Sequence, residues 1–341
     1  MTGVVAFTSF IRDDLARALT LARGLAAHCP AWARVAVLVD QPRPGEDESW
    51  REAFDLVLDA EALYGDEWRG FVFAHEASEA RAAVKGRALA QILANGAQKV
   101  FFFSPDIAIF HELSDLERRL DAASILLTPH QSEPNASAQA IADNEAKTQR
   151  YGIYNLGFLG VCNDVAGAAF ARWYSGRLDE GCYDDAPAGL YLDQKCADLA
   201  PALFDRVEIL RDPGCNVACW NLSRRRVEIA RDGAILVNGE APLKFYQFAE
   251  VDDPLWIDRS AGRRLAPYEL EAYYDRTCAA AGAPAARGWA FARFDGGAPI
   301  ARAARRLWRR DRDLAARFAD PFVEGPRSYR AYLQANRPEL L

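Results

Sequence analysis

The residues best suited to chemistry sit where apolar runs end. Val100 to Phe103 is one such run, stopped at Ser104-Pro105-Asp106 because proline donates nothing to a sheet ladder. A carboxylate just past a buried strand lies at the edge where open α/β sheets bind ligands. Asp106 therefore either serves a ligand there or caps the segment that follows. Upstream, Glu79-Ala-Arg-Ala-Ala-Val-Lys85 and Arg87 belong to a helix. Their cations either stabilise an anionic leaving group or form a solvated face. Thr128-Pro-His130 follows the next strand, and its imidazole is a proton carrier near neutral pH or a structural group. In Tyr154-Asn-Leu-Gly-Phe158, the amide of Asn155 lies two residues from Gly157, whose bare backbone admits close approach. Leu192-Asp-Gln-Lys195 opens a helix, where Asp193 reads hydroxyl groups or complements the helix dipole. Asp212-Pro-Gly-Cys-Asn-Val-Ala-Cys-Trp-Asn221 carries Asn216 and Trp220; the aromatic ring offers a flat apolar face, and a tight buried turn explains the glycine equally. Gln247, in Lys244-Phe-Tyr-Gln-Phe248, either offers its amide as a hydrogen-bond donor or faces solvent.

Alternating strands and helices must position these groups. Val4–Phe7, Val35–Val39, Phe54–Leu58, Val100–Phe103, Ser124–Thr128 and Leu156–Val161 read as strands. Asp13–Ala27, Glu79–Ala94 with Ser78 as its cap, Ser114–Leu120, Ala166–Leu178 and Leu190–Leu199 read as helices. The opening strand–helix–strand is the unit of a parallel sheet. Arg226–Ala230 and Ala234–Val237, split by Asp232-Gly233, predict a hairpin, and Leu243–Phe248 a last strand. Residues 131–150 are polar and weakly patterned, which predicts a mobile loop over a site. From about Pro267 the chain turns helical and arginine-rich. Arg302, Arg305, Arg306, Arg309, Arg310 and Arg312 either meet an anionic membrane or lipid-linked acceptor, or form a salt-bridged helix packed through Leu307.

Composition narrows the classes. The chain has 341 residues, half of them hydrophobic, and a formal net charge of -7. That length and composition suit one large α/β domain with a sizeable core, and the charge gives no footprint for nucleic acid. Dinucleotide and P-loop fingerprints are missing from the first loops. The amino terminus lacks the features of a signal peptide, and no apolar run is long enough to cross a membrane. Seven scattered cysteines and four dispersed histidines show no zinc spacing, which points to reduced thiols in a cytosolic protein.

In order, from residue 4 to about 256, these motifs resemble bacterial GT-A glycosyltransferases related to the retaining group of glycogenin and the lipopolysaccharide galactosyltransferases. The resemblance implies a GT-A-like (Rossmann-like) α/β fold: a mixed, mainly parallel sheet flanked by helices, with a helical C-terminal tail. Residues 1–258 would form the nucleotide-sugar and acceptor domain, and residues 259–341 a helical extension packed on it. It implies transfer of a hexose from a nucleotide-sugar such as a UDP-sugar to a glycan or surface-polysaccharide acceptor, with retention at the anomeric carbon. In that family Asp-x-Asp and a late histidine hold Mn²⁺. Here Ser104 replaces the first aspartate and Gln247 the histidine, so Asp106 alone remains and dependence on Mn²⁺ or Mg²⁺ is expected to be weak or absent. The family pattern gives Thr8, Asp40, Lys85, Ser104, Asp106, Gly157 and Gln247 to the donor, and His130, Asn216 and Trp220 to the acceptor. Asp193, Gln194 and Asn155 become the catalytic set, with Asp193 on sugar hydroxyls and Gln194 beneath the anomeric carbon. A cytoplasmic location, at the inner face of the membrane if the arginines meet it, completes the expectation. The rival reading is an inactive sugar-nucleotide-binding relative with a regulatory or assembly role. A nucleotidyltransferase is disfavoured by the missing glycine-rich basic loop after the first strand.

Overall fold

The computed structural model describes residues 3–42, 45–249, 265–283 and 287–341. Glu250, the Asp252–Trp256 stretch and the expected 258/259 boundary lie outside them. Continuous apolar runs build the first strands, β1 (Gly3–Phe10), β2 (Ala33–Leu38), β3 (Leu56–Asp59) and β4 (Ala97–Phe103). With β6 (Ile125–Pro129), β7 (Tyr154–Cys162) and β10 (Val207–Ile209) they form a seven-stranded sheet, ordered β10-β6-β7-β4-β1-β2-β3. Only β7 runs against its neighbours. The sheet is thus mixed and mainly parallel. Chain order reverses at the β4–β1 pair, the switch point where a crevice opens at the strands' carboxyl ends.

Helix α1 (Leu15–His28) follows β1, and α2 (Ala60–Tyr64), α3 (Trp68–Ala74) and α4 (Ala77–Ala94) lie between β3 and β4. α4 starts one residue before Ser78. Glu76 is its cap, and Glu79 reaches back to the Glu76 amide at 2.8 Å, so a reciprocal pair of glutamates does the work expected of Ser78. Next come β5 (Ile107–Ile109) and α5 (Ser114–Ala122). Stretch 131–150, expected as a loop, is largely helical: α6 (Ala138–Ala140), a π turn over Ile141–Glu145 and α7 (Ala146–Tyr151). Ser137 caps it, and the Glu145 carboxylate accepts the Asn135 amide at 2.6 Å.

After α8 (Val165–Gly181), the predicted helix 190–199 is corrected. The chain makes a two-strand hairpin, β8 (Asp184–Asp185) with β9 (Leu190–Tyr191), before the short α9 (Gln194–Ala197) and α10 (Ala200–Leu203). Leu192 has φ +47°, a left-handed conformation that ends any helix begun at Leu190. β11 (Val217–Ala218) precedes the predicted hairpin, β12 (Val227–Ile229) and β13 (Ile235–Val237), which β14 (Ala241–Pro242) joins. β15 (Phe245–Gln247) then pairs antiparallel with β5, setting Gln247 opposite Ile107 and so beside Asp106.

The tail carries α11 (Leu265–Ala279), α12 (Arg302–Arg310), α13 (Arg312–Arg317) and α14 (Tyr329–Asn336). Its Trp289, Phe291, Trp308, Phe318 and Tyr329 share one buried cluster with Phe7, Val84 and Phe102. On the opposite face of the sheet Trp32 stacks on Phe101, ring centroids 4.7 Å apart.

Candidate functional site

A cavity of about 620 Å³ opens at the switch point, lined where β1 and β4 end by Ser9, Phe102, Ser104 and Asp106. Lys85, His130, Asn155, Gly157, Asp193, Gln194, Trp220 and Gln247 also line it. Residues far apart in sequence therefore converge because the sheet delivers β1, β4 and β7 to one edge while α4 supplies one wall.

At the base lies a buried ion pair. Lys85 Nζ stands 2.7 Å from Asp193 Oδ2 and 3.0 Å from the Leu156 carbonyl, and 4.2 Å from the Phe102 ring centre. The Tyr174 hydroxyl donates to the same Asp193 oxygen at 2.7 Å. Asp193 is 2 % exposed. Gly86 makes this possible: a Cβ there would meet Ser175 Cα at 2.6 Å, so glycine lets α4 close on α8 and both side chains reach Asp193. Lys85 was expected to offer its charge to a diphosphate; instead that charge is largely met by Asp193.

The degenerate metal turn is assembled as β5–β15 pairing requires. Gln247 Nε2 donates to both Asp106 oxygens, at 3.2 and 3.3 Å. Mn²⁺ and Mg²⁺ favour several oxygen ligands, usually more than one carboxylate. Here one carboxylate is engaged by an amide, Ser104 stands where another is needed, and no group of three His, Cys, Asp or Glu among the described residues could hold a metal. Among the described residues the donor set does not fit such a cation.

Gly157 brings two amides together. A Cβ at this position would lie 2.4 Å from Gln247 Oε1 and 2.7 Å from Asn155 Oδ1. Asn155 Oδ1 accepts the Gly157 amide at 2.9 Å and Asn216 Nδ2 at 3.0 Å, while its Nδ2 lies 3.4 Å from His130 Nε2. The glycine thus admits neighbouring side chains rather than open space for a ligand.

Four of the expected site residues have placements or states that the sequence did not suggest. Asn216 does not line the cavity; at φ +56° and 1 % exposure it braces Asn155 and bonds Thr128 Oγ1 at 2.9 Å. Thr8 is buried away from the cavity, which its neighbour Ser9 lines instead. Asp40 lies outside the lining, where its carboxylate accepts the amides of Arg12, Gln41 and Ala290. His130 does reach the cavity, edge-on to Trp220, but burial pushes its pKa down to about 4. The ring is neutral at pH 7 and does not suit proton carriage there.

Sequence reading missed Asp14, Arg17, Arg81, Asp184 and Tyr191, which also line the cavity. Arg81 Nη1 bonds Asp14 Oδ2 at 2.6 Å. Its position one helical turn before Lys85 was the available signal.

Two of the tail arginines, Arg305 and Arg309, face the protein. Arg305 is 2 % exposed and donates to the carbonyls of Val72, Phe73 and His75, which end α3. Arg309 bonds Glu79 at 3.2 Å. These two are not available to a membrane, and no helix among the described residues is long and apolar enough to cross one.

No family model matches the chain. An uncharacterised protein of Bacillus subtilis (strain 168), YfnD, is 29% identical over 152 residues, which cover 44% of this chain and 43% of that protein. The chain thus spans under half the length of this curated relative. Among solved structures, apo mouse xyloside xylosyltransferase 1 aligns with a TM-score of 0.41 at 11% identity, over 72% of this chain and 97% of that one.

Proposed function

We propose that this cavity binds a nucleotide-sugar and that the chain is a glycosyltransferase moving its hexose to a glycan or surface-polysaccharide acceptor. One observation carries the reading: Lys85, Asp106, Asn155, Asp193, Gln194 and Gln247, singled out on separate stretches, line one cavity at the switch point. In this reading Asp193, held by Lys85 and Tyr174, accepts hydrogen bonds from sugar hydroxyls. Gln194, whose Nε2 bonds the Tyr151 carbonyl at 3.3 Å, lies beside the anomeric carbon. The bond from that carbon to the diphosphate breaks, the acceptor oxygen bonds the same face, and the acceptor proton passes to the departing phosphate oxygen. Arg17, Arg81 and Lys85 are the cations that line the cavity for the diphosphate, Arg81 balanced by Asp14 as Lys85 is by Asp193. No step needs a metal, and the acceptor approaches past Trp220.

The Lys85–Asp193 pairing also favours a second reading, a sugar-nucleotide-binding protein without turnover, because the pair can stabilise a cavity without doing chemistry. Calorimetric titration with UDP- and GDP-sugars, in Mn²⁺ and in EDTA, followed by assay of donor hydrolysis, tests both. Binding in EDTA with hydrolysis supports the transferase. Binding without turnover, even with candidate acceptors, supports the second reading, and no binding refutes both.

A further inference from the structure

The C-terminal arginines converge on one short segment. Arg302 Nη2 lies 2.6 Å from the Asp184 carbonyl, 3.1 Å from Asp184 Oδ2 and 3.6 Å from Glu79 Oε1. Arg306 Nη2 adds a bond to the Asp184 carbonyl at 3.2 Å, and Arg310 one to Asp185 Oδ2 at 2.8 Å. The Arg309 guanidinium covers the Tyr183 ring at 3.5 Å. From the other side, Glu79, 1 % exposed, accepts the Asp184 amide at 3.0 Å. Residues 183–185 are thus gripped between α12 and the start of α4.

That segment sets the cavity wall. Asp184 pairs with Tyr191 across the β8–β9 hairpin, and the Leu192 amide donates to the Tyr183 carbonyl at 3.0 Å. Leu192, at φ +47°, holds a backbone that a side-chain-bearing residue adopts only when its surroundings fix it. The next residue is Asp193.

We propose that α12 is a positioning element for the binding cavity, with Arg302 and Arg306 as positioning residues. By fixing the Asp184 carbonyl they hold the hairpin, the left-handed Leu192 and therefore Asp193 against Lys85. The arginine-rich tail then determines whether the glycosyl part of a ligand finds its carboxylate in place. The ordering of the wall rests on geometry alone; the ligand class rests on the nucleotide-sugar reading.

The test compares wild type with Arg302→Ala/Arg306→Ala and with Arg302→Lys, the single substitution serving if the double variant does not fold. Hydrogen exchange is followed at residues 183–194 and at β4, with titration of UDP-glucose, UDP-galactose and GDP-mannose. Loss of two charge-assisted bonds predicts at least about a 10-fold rise in exchange at the Asp184 and Leu192 amides with β4 unchanged. It also predicts about a 10-fold weaker Kd for the sugar that wild type binds, and partial recovery of both in Arg302→Lys relative to the alanines. Unchanged exchange over 183–194 overturns the proposal, as does faster exchange with unaltered affinity. If exchange rises but no nucleotide-sugar binds even to wild type, the positioning role stands and the nucleotide-sugar reading falls.

Discussion

Lys85→Met isolates the ion pair at the base of the cavity. Methionine keeps most of the side-chain volume but removes the ammonium, leaving Asp193 at 2 % exposure with only the Tyr174 hydroxyl on Oδ2. The substitution also strands the Leu156 carbonyl, which Lys85 reaches at 3.0 Å. Breaking one half of a buried pair costs about 3–5 kcal/mol, and at 10 % and 3 % side-chain exposure little solvent screening softens it. An unfolding entropy of about 2.1 cal/mol/K per residue gives the 341-residue chain about 0.7 kcal/mol/K. The melting temperature should therefore fall by about 4–7 °C. Calorimetry reads this directly. The double variant Lys85→Met/Asp193→Asn removes both charges yet keeps a carbonyl for Tyr174, so it should be more stable than Lys85→Met although it has one more substitution. Strictly additive losses, or a shift under about 1 °C in Lys85→Met, would refute the pair as a coupled buried unit.

Gly157→Ala should abolish or strongly weaken ligand binding and cost about 1–3 kcal/mol, because its Cβ would push apart the buried amides of Gln247 and Asn155; wild-type affinity with wild-type stability would contradict the packing. Burial holds His130 at about 4 when folded, against 6.5 when unfolded. The unfolded chain therefore binds the proton first, and this residue removes stability as pH falls from about 6.5 to about 4, by up to about 3 kcal/mol. Denaturant titrations of wild type and His130→Gln should diverge only in that window, and parallel curves would refute the assignment. His75 is shifted in the same direction by burial, so some acid sensitivity should survive in His130→Gln. Ser104→Asp/Gln247→His should create Mn²⁺ affinity that wild type lacks, measured as loss of the free-ion signal in electron paramagnetic resonance; equal Mn²⁺ binding by both proteins would overturn the donor-set argument.

The sheet was legible because it rests on local signals. Uninterrupted apolar runs such as Val100–Phe103 have no stable place except a strand covered on both faces, and the groups just beyond them must reach the sheet edge. Gln247 was singled out by the resemblance alone; its strand's pairing with β5, which makes Asp106 its neighbour by register, carries no local signal. What stayed hidden depends on contacts distant in sequence. Leu192, Cys196 and Leu199 have helix-like spacing, and nothing in a leucine announces φ +47°. That conformation exists because residues 183–185 are held by Glu79 and by arginines more than a hundred positions later.

The same distance explains why both readings of the tail stayed open. An isolated helix with arginines at 302, 305, 306, 309 and 310 has the composition of a membrane-surface element. Most of its acceptors, however, are the carbonyls ending α3, the Glu79 carboxylate and the carboxylates and carbonyl of 184–185, which are distant from it in the chain. Arg305, buried among carbonyls, is pushed down to about 10 by desolvation, yet it remains charged near neutrality. A buried guanidinium that keeps its proton needs those carbonyls, so it ties the end of α3 to α12 as firmly as α12 grips the hairpin. Apolar contacts around Trp308 would tolerate sliding; directional bonds from Arg302, Arg305 and Arg306 fix the helix in register, and with it the wall that carries Asp193.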